Sequence, residues 1–218
     1  MKGSVEAVLF DLDGTLLDTA PDMANAANSV LNEYGYPPLS EAQIQANTSH
    51  GARGLLRAGF GNALKGKDID QLRRSFLAHY ADNICTSTTL YRGVEELLEQ
   101  LSAQGVPWGI VTNKPGFLTG MLLPYFPLLL QARTIVCADT TPHAKPHPAP
   151  LLHGASILTV EPAQCLYVGD IQNDIIAAKA ANMPSAVAAW GYIGKDARPE
   201  QWEADQIFNT PEKILSLF

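Results

Sequence analysis

Two carboxylates one residue apart close an apolar run near the start of the chain: Val8-Leu9-Phe10-Asp11-Leu12-Asp13-Gly14-Thr15. Like charges at the end of a buried strand repel one another and lose hydration, so a fold that keeps Asp11 and Asp13 there needs a partner cation. Three other polar clusters lie beside apolar runs. Thr112-Asn113-Lys114 follows 108–111, Gly169-Asp170-Ile171-Gln172-Asn173-Asp174 follows 165–168, and Lys145-Pro146 precedes a helical run at 149–158. Each has an ordinary reading: an Asp-Gly turn, a strand-end turn, an acidic first helical turn at Asp170 and Asp174, a solvated lysine. Parallel α/β sheets bind ligands at the carboxyl ends of their strands, so all four clusters converge on one edge if these runs form one sheet.

The elements that would position them are legible. Strands are expected at 5–10, 108–111, 134–137, 165–168, 185–188 and 206–208, short apolar runs bounded by turn residues. Helices at 94–104, 115–123, 149–158 and 173–181 alternate with them. That alternation predicts an α/β class protein with a Rossmann-like parallel sheet covered on both faces. Between the first two strands the texture is helical only: 21–34, a second helix opening at Ser40-Glu41, 52–58, and 68–84 with Ile69, Leu72, Phe76, Leu77 and Tyr80 at helical spacing. The expected organisation is a core of residues 1–17 and 91–218, interrupted after its first strand by a helical insert at 18–90.

Composition narrows the function. The 218 residues are 46% hydrophobic, enough for a sizeable core, and carry a formal charge of −7. An isoelectric point near 5.1 lacks the electrostatic footprint of a nucleic-acid binder. No apolar run approaches the ~18 residues of a membrane span. Met1-Lys2-Gly3-Ser4 leads into a run too short for a signal-peptide core, so the expected compartment is cytoplasmic. Cys85, Cys137 and Cys165 form no metal or redox spacing and read as buried spectators. His143 and His147 are four apart, but Pro146 and Pro148 interrupt a helix there, so they and His153 read as surface or loop residues. Trp108 reads as core; Trp190-Gly191-Tyr192 reads equally as packing or as lining of a site.

In order, DLDGT at 11–15, VTN at 111–113, KP at 145–146 and GDIQND at 169–174 resemble the four motifs of the haloacid-dehalogenase-like hydrolase superfamily, and the resemblance spans essentially the whole chain. It implies a helical cap between the first two motifs and a Mg²⁺-dependent phosphatase acting on a small phosphorylated metabolite. The implied assembly is a monomer or homodimer, with neither nucleic acid nor membrane as partner. Asp11 would be the nucleophile, forming an aspartyl-phosphate, and Asp13 the acid that protonates the leaving oxygen and then the base that activates water. Lys145 and the Thr112 hydroxyl would hold the phosphoryl oxygens, helped by backbone N–H groups near Gly14 and Asn113. Asp11, Asp170 and the Asp13 carbonyl would hold Mg²⁺, with Asp174 supporting them. A cation is physically required: two unit charges 4 Å apart repel by ~4 kcal/mol at an effective dielectric of ~20, and a phosphomonoester carries nearly two.

Within that superfamily, LLDTAPDM at 16–23 and KPHPAPLL at 145–152 look like phosphoglycolate phosphatases. HGAR at 50–53 and the stretch 190–205 resemble the N-acetylmuramic acid 6-phosphate phosphatases. Arg53 in that insert is either an exposed surface residue or a bidentate grip on a substrate carboxylate or phosphate. A hexose-phosphate mutase shares the motifs. A phospho-acceptor signalling domain shares the acidic cluster, threonine and lysine, but the length, the insert and Asp13 argue against it. A phosphonate hydrolase would need an insert lysine, and Lys65 and Lys67 read as exposed loop residues. The junctions at 17–21 and 84–93 would be the hinges of a lid.

Overall fold

A computed structural model describes residues 4–194 and 197–218. The opening Met1-Lys2-Gly3 and the Lys195-Asp196 pair of the 190–205 stretch lie outside the described residues. The strands are β1 (Ala7–Phe10), β2 (Leu17–Asp18), β3 (Thr89–Leu90), β4 (Trp108–Val111), β5 (Ile135–Val136), β6 (Cys165–Gly169), β7 (Ser185–Ala188) and β8 (Gln206–Phe208). The helices are α1 (Ala20–Glu33), α2 (Glu41–Asn47), α3 (Gly51–Phe60), α4 (Ile69–Asp82), α5 (Val94–Ala103), α6 (Gly116–Leu122), α7 (Ala149–Leu158) and α8 (Gln172–Ala180).

Six strands form one parallel sheet in the order β5-β4-β1-β6-β7-β8. This is the α/β architecture expected from the alternation. β1 is fully buried at every residue, as are Leu166, Tyr167 and Val168 of its neighbour β6. Central parallel strands are covered on both faces, so their sequences run apolar instead of alternating. Register follows directly: Val8 lies opposite Trp108 on one side and Leu166 on the other. The core beside them gathers Leu9, Val111, Val136, Leu151, Tyr167 and Ala177.

The expected strand 5–10 begins two residues late, 134–137 contracts to 135–136, and 165–168 extends through Gly169. β2 and β3 pair with each other; at two residues each they are too short to show a period. Cys137 and Cys165 are buried as expected, but Cys85 is only half-buried; all three are free thiols.

The chain divides into two compact units. One holds the N-terminal residues through Asp18, Leu90–Gly191 and Arg198–Phe218; the other holds Thr19–Thr89 with a short segment that begins at Tyr192. In the helical unit, α1 buries Ala27, Val30 and Leu31, α3 buries Leu55, Leu56 and Phe60, and α4 buries Leu72, Phe76 and Tyr80. Local chemistry sets the helix starts. Pro21 occupies the first turn of α1, where its missing N–H has no intrahelical partner to lose. Ser40 and Gln43 form a reciprocal capping box on α2, and Asp68 accepts from the N–H groups of Asp70 and Gln71 on α4.

One residue of this unit makes contacts with no local signature, and another departs from the sequence reading. Asp22 looks like an acidic first-turn residue, yet its buried carboxylate accepts from the N–H groups of Thr86, Ser87 and Thr88 and from the Thr88 hydroxyl, at 2.7–3.0 Å. Lys67, expected exposed, is half-buried, with its ammonium 4.3 Å from the Tyr34 ring centroid, 5.1 Å from Phe60 and 5.5 Å from Tyr36. Aromatic faces attract a cation, which explains the burial. Lys65 is exposed as expected. No helix among the described residues is long and apolar enough to cross a membrane.

Candidate active site

The parallel sheet brings Asp11, Thr112 and Asp170 to one edge, because each follows the last residue of a strand in β1, β4 and β6. The backbone N–H of Asp11 donates to Val168 and that of Thr112 to Val136, extending the ladder by one step and fixing where both side chains leave the sheet. Gly14 then turns the chain with φ of +87°, a conformation that costs an L side chain about 1–2 kcal/mol, and its N–H closes onto Leu17.

Lys145 sits at the centre of the cluster, its side chain 1% exposed. Its ammonium is 2.9 Å from Asp11 Oδ1, 2.8 Å from Asp174 Oδ1, 2.7 Å from the Tyr167 hydroxyl and 3.0 Å from the Val111 carbonyl. Tyr167 donates its own proton to Val111 O at 2.9 Å, so its oxygen accepts from the lysine. Asn113 holds the lysine from behind: its Nδ2 donates to Lys145 O at 2.9 Å and its Oδ1 accepts from Lys145 N at 3.0 Å. The Asn113 side chain is thus occupied with the lysine backbone, leaving its main chain for any contact with an anion. The Thr112 hydroxyl accepts from Lys114 N–H at 3.1 Å, so its proton is what it has to offer.

The carboxylates divide into two groups. Asp11, Asp170 and Asp174 are buried, and one oxygen of each lies within 4.8 Å of the others. Asp170 accepts from Thr15 Oγ1 at 3.1 Å. Asp174 accepts from Lys145 through Oδ1 and from Ile171 N–H through Oδ2, so both its oxygens are engaged. Asp13 stands apart from that trio: its Oδ1 is 2.8 Å from the ammonium of Lys114, whose side chain is only 4% exposed.

The electrostatics ask for more positive charge. Asp11 and Asp174 share one ammonium, that of Lys145, while Asp13 pairs with Lys114. Burial pushes the Asp11 carboxyl up to about 7; Lys145 opposes that shift, while Asp174 and Asp13 add to it. The flanking carboxylates hold the Lys145 ammonium above its ordinary value despite its own burial. Three buried carboxylates gathered within 4.8 Å of one another, two of them sharing a single lysine, fit a hard divalent cation.

Trp190-Gly191-Tyr192, which the sequence left between packing and lining, has a definite place. The Trp190 indole N–H donates to Thr15 O at 2.9 Å. A Cβ at Gly191 would stand 2.1 Å from Gly14 O and 2.4 Å from Asp170 Cβ, so only glycine lets the chain pass. Tyr192 belongs to the helical unit, where its hydroxyl accepts from the N–H groups of Thr19 and Ala20 at 2.6 and 2.8 Å and caps α1. Arg53 also belongs to that unit; its side chain is 66% exposed and its guanidinium lies 3.7 Å from Asp70. His143 and His147 lie exposed in a loop as expected, their rings 4.4 Å apart. Lys114, Tyr167 and Thr15 are members of the cluster to which the sequence reading gave no role, although Thr15 closes the DLDGT motif and Lys114 ends the polar cluster past β4. The usable signal was the two-residue spacing of Thr112 and Lys114 past the end of β4.

Known proteins share this arrangement of sequence and fold. The profile of the haloacid dehalogenase-like hydrolases matches residues 8–188. A phosphoglycolate phosphatase of Xanthomonas campestris pv. campestris is 42% identical over 208 residues, 95% of this chain and 94% of that protein. An N-acetylmuramic acid 6-phosphate phosphatase of Pseudomonas aeruginosa is 35% identical over 213 residues, 98% and 94% of the two chains. The crystal structure of a predicted phosphoglycolate phosphatase from Haemophilus somnus superposes with a TM-score of 0.87 at 32% identity, covering 100% of this chain and 99% of that one. Matched along most of its length by the family profile and by these relatives, and carrying all four of the expected motifs, the chain belongs to the haloacid dehalogenase-like hydrolases.

Proposed function

We propose that the protein is a Mg²⁺-dependent phosphatase that hydrolyses a small phosphomonoester through an aspartyl-phosphate on Asp11. The buried Asp11, held at 2.9 Å by Lys145 within a trio of carboxylates, carries this reading. Asp11 and Asp170, with the Asp13 carbonyl, would hold Mg²⁺, and Asp174, whose oxygens are already engaged, would support them. When bound, the cation would offset the negative charge of these carboxylates and supply Lewis-acid stabilisation to the phosphoryl group.

The chain's own residues then have the following tasks. An Asp11 oxygen attacks phosphorus; the bond from phosphorus to the ester oxygen breaks, its electron pair stays on that oxygen, and the Asp13 carboxyl supplies the proton that makes it an alcohol. Asp13, now a carboxylate, takes a proton from water, whose oxygen attacks the same phosphorus; the bond to Asp11 breaks and returns its electron pair to the carboxylate. Lys145 and Thr112 hold the phosphoryl oxygens, with the main-chain N–H of Asn113; the Gly14 N–H, expected from the sequence to help, is instead given to Leu17 O at 2.9 Å. Arg53, on the helical unit read here as a cap, grips the part of the substrate that is not phosphate.

Phosphate release is to be measured with and without Mg²⁺ on 2-phosphoglycolate, N-acetylmuramic acid 6-phosphate, hexose phosphates and nucleotides. The expected result is Mg²⁺-dependent multiple turnover with one clear preference. Preference for 2-phosphoglycolate agrees with the relative at 42% identity, and preference for the muramic sugar with the one at 35%. A single stoichiometric phosphorylation without turnover would replace the enzyme by a phospho-acceptor switch. Asp11→Asn is expected to abolish turnover and keep the fold.

A further inference from the structure

We propose that Lys114 is a positioning residue for the acid–base group, holding the Asp13 carboxyl on line with the leaving oxygen and the attacking water. The inference rests on the phosphatase reading above and extends it to a residue outside the four motifs as quoted. Lys114 is 6% exposed, an unusual burial for a lysine, and its ammonium meets Asp13 Oδ1 at 2.8 Å. The lysine is itself fixed at both ends of its main chain. Its N–H donates to Thr112 Oγ1 at 3.1 Å and its carbonyl accepts from Ala138 N–H at 3.1 Å. A buried ion pair is weak evidence for stability, because desolvating two charges offsets their attraction. This pair is better explained by geometry. A carboxyl pinned through one oxygen by an anchored donor has its plane, and so the bearing of its second oxygen, restricted. Asp13 directly precedes Gly14, where the chain turns with φ of +87°, and its side chain is 21% exposed, against 4% for that of Lys114.

The two lysines of the site therefore have separate tasks. Lys145 touches Asp11 and Asp174, the attacking and supporting carboxylates. Lys114 touches the carboxylate that moves protons.

The test separates loss of proton transfer from loss of phosphate binding or of the fold. Nitrophenolate leaves without a proton, whereas an alkoxide does not, and kcat/KM reports the steps through the first bond cleavage. Lys114→Met is assayed with p-nitrophenyl phosphate and with the best alkyl phosphate of the panel. A positioned acid contributes ~10²–10⁴ in rate, so kcat/KM for the alkyl ester is expected to fall about 100-fold and that for the aryl ester less than about 5-fold. Lys114→Arg, which keeps the charge and the donors, is expected to recover most of the loss. In an Asp13→Asn background, Lys114→Met is expected to add nothing, since residues acting through one another are non-additive. Equal losses on both esters, or losses that add in that background, overturn the proposal. If the methionine variant does not fold, Lys114→Gln is read by the same two criteria. A wild-type protein that cleaves neither ester refutes the phosphatase reading itself, a result distinct from either.

Discussion

Lys145→Met removes the cation around which the site is built. The ammonium meets Asp11 at 2.9 Å and Asp174 at 2.8 Å, and also serves the Tyr167 hydroxyl. Methionine fills similar volume without charge, so packing changes little and the loss is electrostatic. Breaking a buried ion pair on one side costs about 3–5 kcal/mol, because the remaining charge is stranded. That is a large share of a total stability of about 5–15 kcal/mol, and for a chain of this size it lowers Tm by roughly 6–20 °C. Denaturation of both proteins in EDTA by urea and by heat measures it. The deficit is expected to shrink as pH falls. Burial already lifts the Asp11 carboxyl to about 7 with Lys145 present, and a group raised in the folded state contributes stability below that value and loses it as pH rises through it. Lys145→Met combined with Asp174→Asn is expected to be less destabilised than the sum of the two changes. A lysine variant within about 1 kcal/mol of wild type at neutral pH would refute the electrostatic account of the site, since that is the range of exposed pairs.

Other consequences are equally direct. Gly191→Ala puts a methyl 2.1 Å from Gly14 O and 2.4 Å from Asp170 Cβ, so the Mg²⁺ concentration giving half-maximal activity is expected to rise at least about tenfold, as for other changes to groups supporting metal ligands. Burial pushes the Cys165 thiol up to about 12, so at pH 8 about one molecule in ten thousand carries the reactive thiolate; a chromogenic thiol reagent is expected to miss Cys165 in the native protein and reach it on unfolding. Arg53→Ala removes an ion pair exposed on both sides and is expected to change stability by less than about 1 kcal/mol. Its kcat/KM is expected to fall more for the preferred substrate than for p-nitrophenyl phosphate, whereas equal losses would assign Arg53 to the phosphate or the fold.

Most of the sheet edge was readable because central parallel strands announce themselves: an apolar run with no alternation, followed by polar residues. Asp11, Thr112 and Asp170 follow such runs directly. What escaped lies off that pattern. Tyr167 reads as one more apolar residue of β6, and only the fold reveals that its hydroxyl reaches Lys145. Asp22 has all the marks of a first-turn acid in a helix opened by proline, yet its partners are 64–66 residues away. No local spacing encodes that contact. Trp190 and Tyr192 lie two apart and serve different units, one bonding Thr15 O and the other capping α1. Lys67 was placed by charge alone as an exposed residue, whereas three aromatic rings from two helix ends gather around it. Long-range pairs of this kind depend on tertiary closure and leave little trace in a window of sequence.

The claim on which the rest depends is that Asp11 is the nucleophile. Acid quench within the first turnovers on the preferred ester, followed by borohydride reduction and peptide mass spectrometry, tests it directly. An acyl phosphate on Asp11 is reduced to homoserine, so the reading predicts that conversion at residue 11, dependent on substrate and lost in Asp11→Asn. Phosphorylation at any other residue, or turnover with residue 11 unmodified at every quench time, would contradict it.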